Sequence, residues 1–315
     1  MTLPAAAQSA PDVIHGLAGL PFAKGHGTGN DFVLVADPAG DRHLAEAEAA
    51  ALCDRHQGIG ADGLIRAIRS RELPEGISVL AEEPEAEWFM DYRNADGSLS
   101  EMCGNGVRVF VAFLLDQGLV ELAPGEVLPI GTRAGVKRVE RRSDGFAVDM
   151  GPWEFIDPQR AAADASDATV TAVGLDVARP ALSVSMGNPH TVVALAEPSE
   201  LAGLGLHTAP AVDPVPPHGT NVEFVVPSEP LVADGVGSVT MRVHERGVGE
   251  TQSCGTGACA AAVAIRYWAG AGAPDRWDVV VPGGRVGVAF IPGADGREHV
   301  ELSGPAVIVA HGTLG

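Results

Sequence analysis

MDYRNADGSLSEMCGNG (Met90–Gly106) and MRVHERGVGETQSCGTG (Met241–Gly257) carry one pattern twice. In each, a cysteine stands thirteen residues after a methionine and is followed by Gly-x-Gly and an apolar stretch at helical spacing. Cys103 and Cys254 therefore correspond at an offset of 151. An earlier pair matches as well. Gly29-Asn30-Asp31-Phe32 and Gly187-Asn188-Pro189-His190 each precede a valine-rich run, at an offset of 158. Two ordered matches at nearly equal offsets argue for two similar domains of about 130 to 150 residues each.

Working outward, Phe32–Val35, Leu64–Ile68 and Trp88–Tyr92 read as strands, and Leu44–Arg55 reads as a helix. Arg69–Glu87, rich in Pro, Gly and Glu, reads as a solvated insertion loop. Cys103–Leu115 is apolar on nearly every face, the pattern of a buried helix. The alternation gives an α/β class. The expected boundaries are an extension over residues 1–20, a first domain over 21–149 and a second over 150–303, parted at Gly151-Pro152.

The 315 residues are 46% hydrophobic, enough to bury a core without disulfides. A formal net charge of -20 repels phosphate backbones and anionic lipid, so neither nucleic acid nor membrane is an expected partner. Four cysteines without a C-x-x-C pair make a poor zinc or disulfide framework, so no metal is expected. No apolar run approaches a membrane span, and the first twenty residues lack a signal-peptide pattern, so the expected location is cytoplasmic.

A cysteine just ahead of a helix sits where unsatisfied N–H groups and the dipole favour an anion, which makes it available as thiolate. The same N–H groups at Gly104-Asn105 and Gly255-Thr256 can hold a carboxylate. Two such thiols acting from opposite sides of one ligand would take a proton from one face of a carbon and return it to the other. Cys53 and Cys259, inside helix-like stretches, read as small buried hydrophobes. Asn30, Asn94, Asn188 and Asn221 stand in turn-like runs and offer amides to a polar ligand. Arg246 suits a carboxylate and Glu245 an ammonium, while His190 and His244 are acid/base candidates.

Gly58-Ile-Gly-Ala-Asp-Gly63 follows a helix and precedes a strand, the reverse of a dinucleotide fingerprint. No P-loop, nucleophile elbow or H-E-x-x-H motif is present. The only lysines are Lys24 and Lys137, and neither leads into a phosphate-binding glycine loop, so no cofactor is expected.

These motifs together resemble the diaminopimelate epimerase family. The matching strings are KGHGTGNDF (24–32), GIGADG (58–63), RNADGSLSEMCGNGVR (93–108), MGNPH (186–190), GTNVEF (219–224) and ERGVGETQSCGTG (245–257), in family order over about 230 residues. The resemblance implies two pseudo-symmetric α/β domains, each a β-barrel-like sheet around a central helix, with substrate between them. It implies that the last strand, within 304–315, returns to the first domain. It implies interconversion of LL- and meso-2,6-diaminopimelate for lysine and peptidoglycan synthesis, with Cys103 as proton acceptor and Cys254 as donor from the LL side. Asn30, Asn94, Gly104, Asn105, Asn188, Asn221, Glu245, Arg246, Gly255 and Thr256 would bind substrate, and His190 and Glu245 would tune the thiols. A homodimer is expected. Alternatives within the fold are a proline racemase-like enzyme and a phenazine-biosynthesis-type isomerase. Outside it stand a non-catalytic amino-acid-binding module and a redox sensor joining Cys103 to Cys254.

Overall fold

A computed structural model describes residues 10–315. Backbone contacts divide the chain into two compact units. One holds residues 10–27 with Asp31–Ser143 and Ala306–Gly315; the other holds Thr28–Asn30 with Asp144–Pro305.

The first unit runs α1 (Ala10–His15), β1 (Pro21–Gly27), β2 (Asn30–Ala36), α2 (Glu46–Cys53), β3 (Gly63–Arg69), α3 (Pro74–Glu82), β4 (Trp88–Asn94), α4 (Gly104–Asp116), β5 (Val127–Thr132) and β6 (Gly135–Arg142). Strand β2 runs parallel to β3, β3 antiparallel to β4, β4 parallel to β5 and β5 antiparallel to β6. The strands surround α4, which touches β1, β3, β4 and β6. That explains its lack of a polar face: Val107, Val109, Phe110, Val111 and Leu114 are all fully buried.

Two expectations are corrected here. The segment expected as an insertion loop, Arg69–Glu87, holds a 3-10 turn (Ser70–Glu72) and the nine-residue α3. Pro74 occupies the first helical turn, where a missing N–H costs nothing. Val79 and Ala86 pack with Ile68 and Phe89 in a core cluster, so the segment carries part of the core. The expected extension over residues 1–20 is also too long. Ile14, Leu17 and Leu20 join the cluster of Val33, Val35, Leu44 and Leu52. Residues 1–9 lie outside the described residues.

The second unit runs β7 (Gly145–Pro152), β8 (Glu154–Phe155), α5 (Pro158–Asp164), β9 (Ala168–Thr171), β10 (Arg179–Ser185), β11 (Pro189–Ala194), α6 (Pro198–Ala202), β12 (Ala211–Asp213), β13 (Asn221–Ala233), β14 (Val236–Glu245), β15 (Gly249–Glu250), α7 (Gly255–Ala269), β16 (Arg276–Val281), β17 (Gly284–Pro292) and β18 (Glu298–Gly304). Gly151 and Pro152 are the last residues of β7, which pairs with β18. Pairing alternates as in the first unit: β11 parallel to β13, β13 antiparallel to β14, β14 parallel to β16, β16 antiparallel to β17. Helix α7 is touched by β10, β11, β13, β14, β16, β17 and β18. The final strand, β19 (Val307–Thr313), belongs to the first unit and pairs antiparallel with β1 while touching α4.

Register makes the internal repeat quantitative. Phe32 pairs with Gly63 across β2 and β3, and His190 pairs with Asn221 across β11 and β13. The offset of 158 seen in the Gly-Asn turns thus carries through both strands. Among the described residues no helix is long and apolar enough to cross a membrane.

Candidate active site

Both motif cysteines are helix N-caps. Cys103 (φ -138, ψ 123) and Cys254 (φ -111, ψ 114) have extended backbones, and each Sγ accepts the N–H of the third residue on, Gly106 or Gly257, at 3.4 Å. Ser, Thr, Asp and Asn usually fill this position because their oxygen satisfies an orphan N–H. Sulfur is a weaker acceptor, so its use here costs helix stability and leaves a thiol against the N–H groups of the first turn.

In the second unit Cys254 is 6% exposed. Thr256 Oγ1 lies 3.6 Å from Sγ. Asn188 bridges two groups: its Nδ2 donates to Thr256 Oγ1 at 3.4 Å, and its Oδ1 faces His190 Nε2 at 3.0 Å. His190 Nδ1 lies 2.7 Å from Glu223 Oε1, and both side chains are fully buried. Glu245, at the end of β14, accepts the Thr251 hydroxyl. Burial, followed by the charges of Glu245 and Glu223, pushes the Cys254 thiol well above its ordinary value of 9.0. Burial also raises Glu245, with Glu223 adding to it, while hydrogen bonds from Thr251 and Cys254 pull it partly back.

The remaining expected residues of this unit are placed as follows. Asn221 staples two segments: its Nδ2 donates to Pro189 O at 3.1 Å and its Oδ1 accepts the Arg246 N–H at 2.9 Å. Arg246 is exposed, with Nη1 donating to His218 O. His244 Nδ1 lies 2.9 Å from Leu206 O. The Thr28–Asn30 turn groups with this unit, and a Cβ on Gly29 (φ +81) would fall 2.9 Å from Gln252 Cβ.

In the first unit Cys103 is half-buried. A Cβ on Gly106 would meet Ile65 Cδ1 at 3.4 Å and Phe32 Cζ at 3.5 Å, so the floor under the first turn of α4 is apolar. Asn94, ending β4, donates from Nδ2 to Ser98 Oγ at 3.0 Å. The buried Asn105 accepts from Arg108 Nη2 at 3.0 Å, and Arg108 also donates to Gly104 O. Cys53 and Cys259 are 3% and 0% exposed, as small buried hydrophobes should be.

Two buried charges escaped the sequence reading. Arg108 follows the first cysteine motif, and Glu223 lies in the string GTNVEF. The signal available for Glu223 was a single carboxylate inside a run that is otherwise apolar from Val222 to Val226.

The fold is shared with solved structures of a phenazine biosynthesis protein and of a hydroxyproline epimerase. A phenazine biosynthesis protein of the PhzF family from Bacillus anthracis matches with a TM-score of 0.63, covering 93% of this chain and 98% of that one at 16% identity. A hydroxyproline epimerase from Agrobacterium vitis matches with a TM-score of 0.59, covering 94% and 92%, also at 16% identity. Sequence is more specific. The diaminopimelate epimerase family profile matches residues 22–156 and 182–309. The diaminopimelate epimerase of Streptomyces coelicolor is 46% identical over 299 residues, 93% of this chain and 94% of that protein. The chain belongs to the diaminopimelate epimerase family.

Proposed function

We propose that the protein interconverts LL- and meso-2,6-diaminopimelate by moving a proton between one α-carbon and two cysteines, in lysine and peptidoglycan precursor synthesis. The observation that carries this reading is the duplicated thiol cap, Cys103 on α4 and Cys254 on α7, each against a Gly-x-Gly helix start. From the LL side Cys103 removes the α-proton and Cys254 delivers one to the opposite face. An amino-acid α-hydrogen is a far weaker acid than a thiol. The developing carbanion therefore needs its carboxylate held by preorganised N–H donors, for which the amides of Gly104-Asn105 and Gly255-Thr256 are suited.

Asn30, Asn94, Asn188, Asn221, Glu245 and Arg246 supply the remaining polar contacts to substrate, with Glu245 for an ammonium and Arg246 for a carboxylate. His190 and Glu245 set the protonation of the thiol in their unit. The proton transfer asks for no cofactor. We assign a homodimer working in the cytoplasm.

The test is incubation with LL-diaminopimelate in heavy water, comparing wild type with Cys103→Ala and Cys254→Ala. Deuterium at one α-carbon with conversion to meso, lost in both variants, is the expected result. No exchange in the wild type overturns the reading.

A further inference from the structure

The two thiol caps share backbone geometry and differ in what lies beneath them. The offset of 158 that takes Phe32 to His190 also takes Ile65 to Glu223. In the first unit Phe32 and Ile65 approach Gly106 with carbon atoms. At the matching place in the second unit stands a fully buried His–Glu pair. A Cβ built on Gly257 would lie 2.6 Å from Glu223 Oε1 and 3.2 Å from Cys254 Sγ, which together bound the Oε1–Sγ separation at 5.8 Å. Glu223 Oε2 is buried without a hydrogen-bond partner among the described residues. A carboxylate left half-satisfied in a dry site is costly and retains most of its charge's reach.

We propose that Glu223 is a positioning residue whose buried carboxylate, set against the first turn of α7, adds to the burial that holds Cys254 in its thiol form and so favours it as the proton-delivering partner from the LL side. This rests on the two-cysteine reading above. Glu223 stands against a helix start whose N–H groups favour an anion, and its negative charge within 6 Å of sulfur adds to the larger effect of burial in opposing a thiolate. The direction of the Cys254 titration, raised by burial and by the charges of Glu245 and Glu223, agrees. The charged groups bearing on this thiol are Glu223 on β13 and Glu245 at the end of β14, and His190 on β11 pairs with Glu223. His190 holds Oε1 and passes its other nitrogen to Asn188, fixing the carboxylate in place. In the first unit Ile65 stands at the position corresponding to Glu223.

The experiment is site-resolved alkylation by neutral iodoacetamide, read by mass spectrometry at several pH values below 9. E223Q, which keeps shape and removes charge, should raise the Cys254 alkylation rate about tenfold or more at each pH while leaving Cys103 unchanged. E223D, which keeps charge and opens space, should stay within about threefold of wild type. If the role were packing alone, Asp would disturb the thiol more than Gln. An unchanged Cys254 rate in E223Q, or a larger effect in E223D, overturns the proposal. If E223Q does not fold, the paired replacement of His190→Phe with Glu223→Ile, which copies the first unit, carries the same test. Deuterium exchange by the wild type is measured in parallel. Its absence would overturn the epimerase reading, whereas the alkylation ratio judges Glu223 on its own.

Discussion

Cys254 Sγ accepts the N–H of Gly257 at 3.4 Å, so the atom proposed to carry a proton also caps a helix. Cys103 does the same with Gly106. The two duties separate on substitution. Serine keeps an acceptor at the cap, so Cys254→Ser should be at least as stable to urea as wild type, while alanine costs about 1 kcal/mol. Both should lose kcat by at least about a hundredfold, since a hydroxyl is a poor proton carrier here. Serine variants that are active, or as unstable as alanine, would contradict the dual role.

Gly257 and Gly106 should respond differently to alanine. At 257 the new methyl would fall 2.6 Å from a buried carboxylate oxygen; at 106 its nearest neighbours are carbons at 3.3 to 3.5 Å. Gly257→Ala should lower stability by about 1 to 3 kcal/mol through overpacking. In Gly106→Ala a smaller clash is offset by a gain of about 1 kcal/mol in helix propensity. Thermal melts of the two variants provide the comparison.

High pH should unfold the protein through its buried thiols. Burial pushes Cys53 from 9.0 to about 12, with Asp31 and Asp62 adding to it and Lys24 and Arg55 opposing, and burial raises Cys254 in the same direction. The folded chain keeps protons that the unfolded chain releases. Stability is therefore full below pH 9 and falls as pH rises, by about 1.4 kcal/mol per pH unit for each thiol. Guanidinium titrations at pH 8, 9 and 10 should show this slope, and Cys53→Ala should remove its share.

The acid side depends on Asp31. Burial raises its carboxyl, but hydrogen bonds from Arg55 and Lys24 and their charges outweigh that and hold it at about 2. The Lys24 contact is 2.5 Å and the nearer Arg55 contact 2.7 Å. A depressed carboxylate stabilises the fold above its unfolded value of 3.8, and that stability is lost as pH falls toward 2. Asp31→Asn should cost about 2 kcal/mol at pH 7 and nothing near pH 2. A constant cost across that range would refute the assignment.

The repeat was legible because caps, Gly-x-Gly starts and apolar helices are local patterns, and two copies confirm one another. Cys103 and Cys254 could be located from spacing alone. What escaped was set by tertiary context. Glu223 looks like one charge on a strand until the register puts it beneath α7. His244 and His190 look alike in sequence, yet one turns to a backbone carbonyl and the other to a buried carboxylate. Arg69–Glu87 has the composition of a loop, but Val79 and Ala86 found apolar partners in Ile68 and Phe89.

Strand β19 pairs with β1 from Pro21↔Thr313 to His26↔Val307. The first unit therefore borrows a strand made some 280 residues after its own first one. On a ribosome, β1 and α4 must wait with an open sheet edge while the entire second unit emerges. The half of the protein synthesised first is the half that finishes last, and the open edge of β1 is the surface a nascent chain most needs shielded.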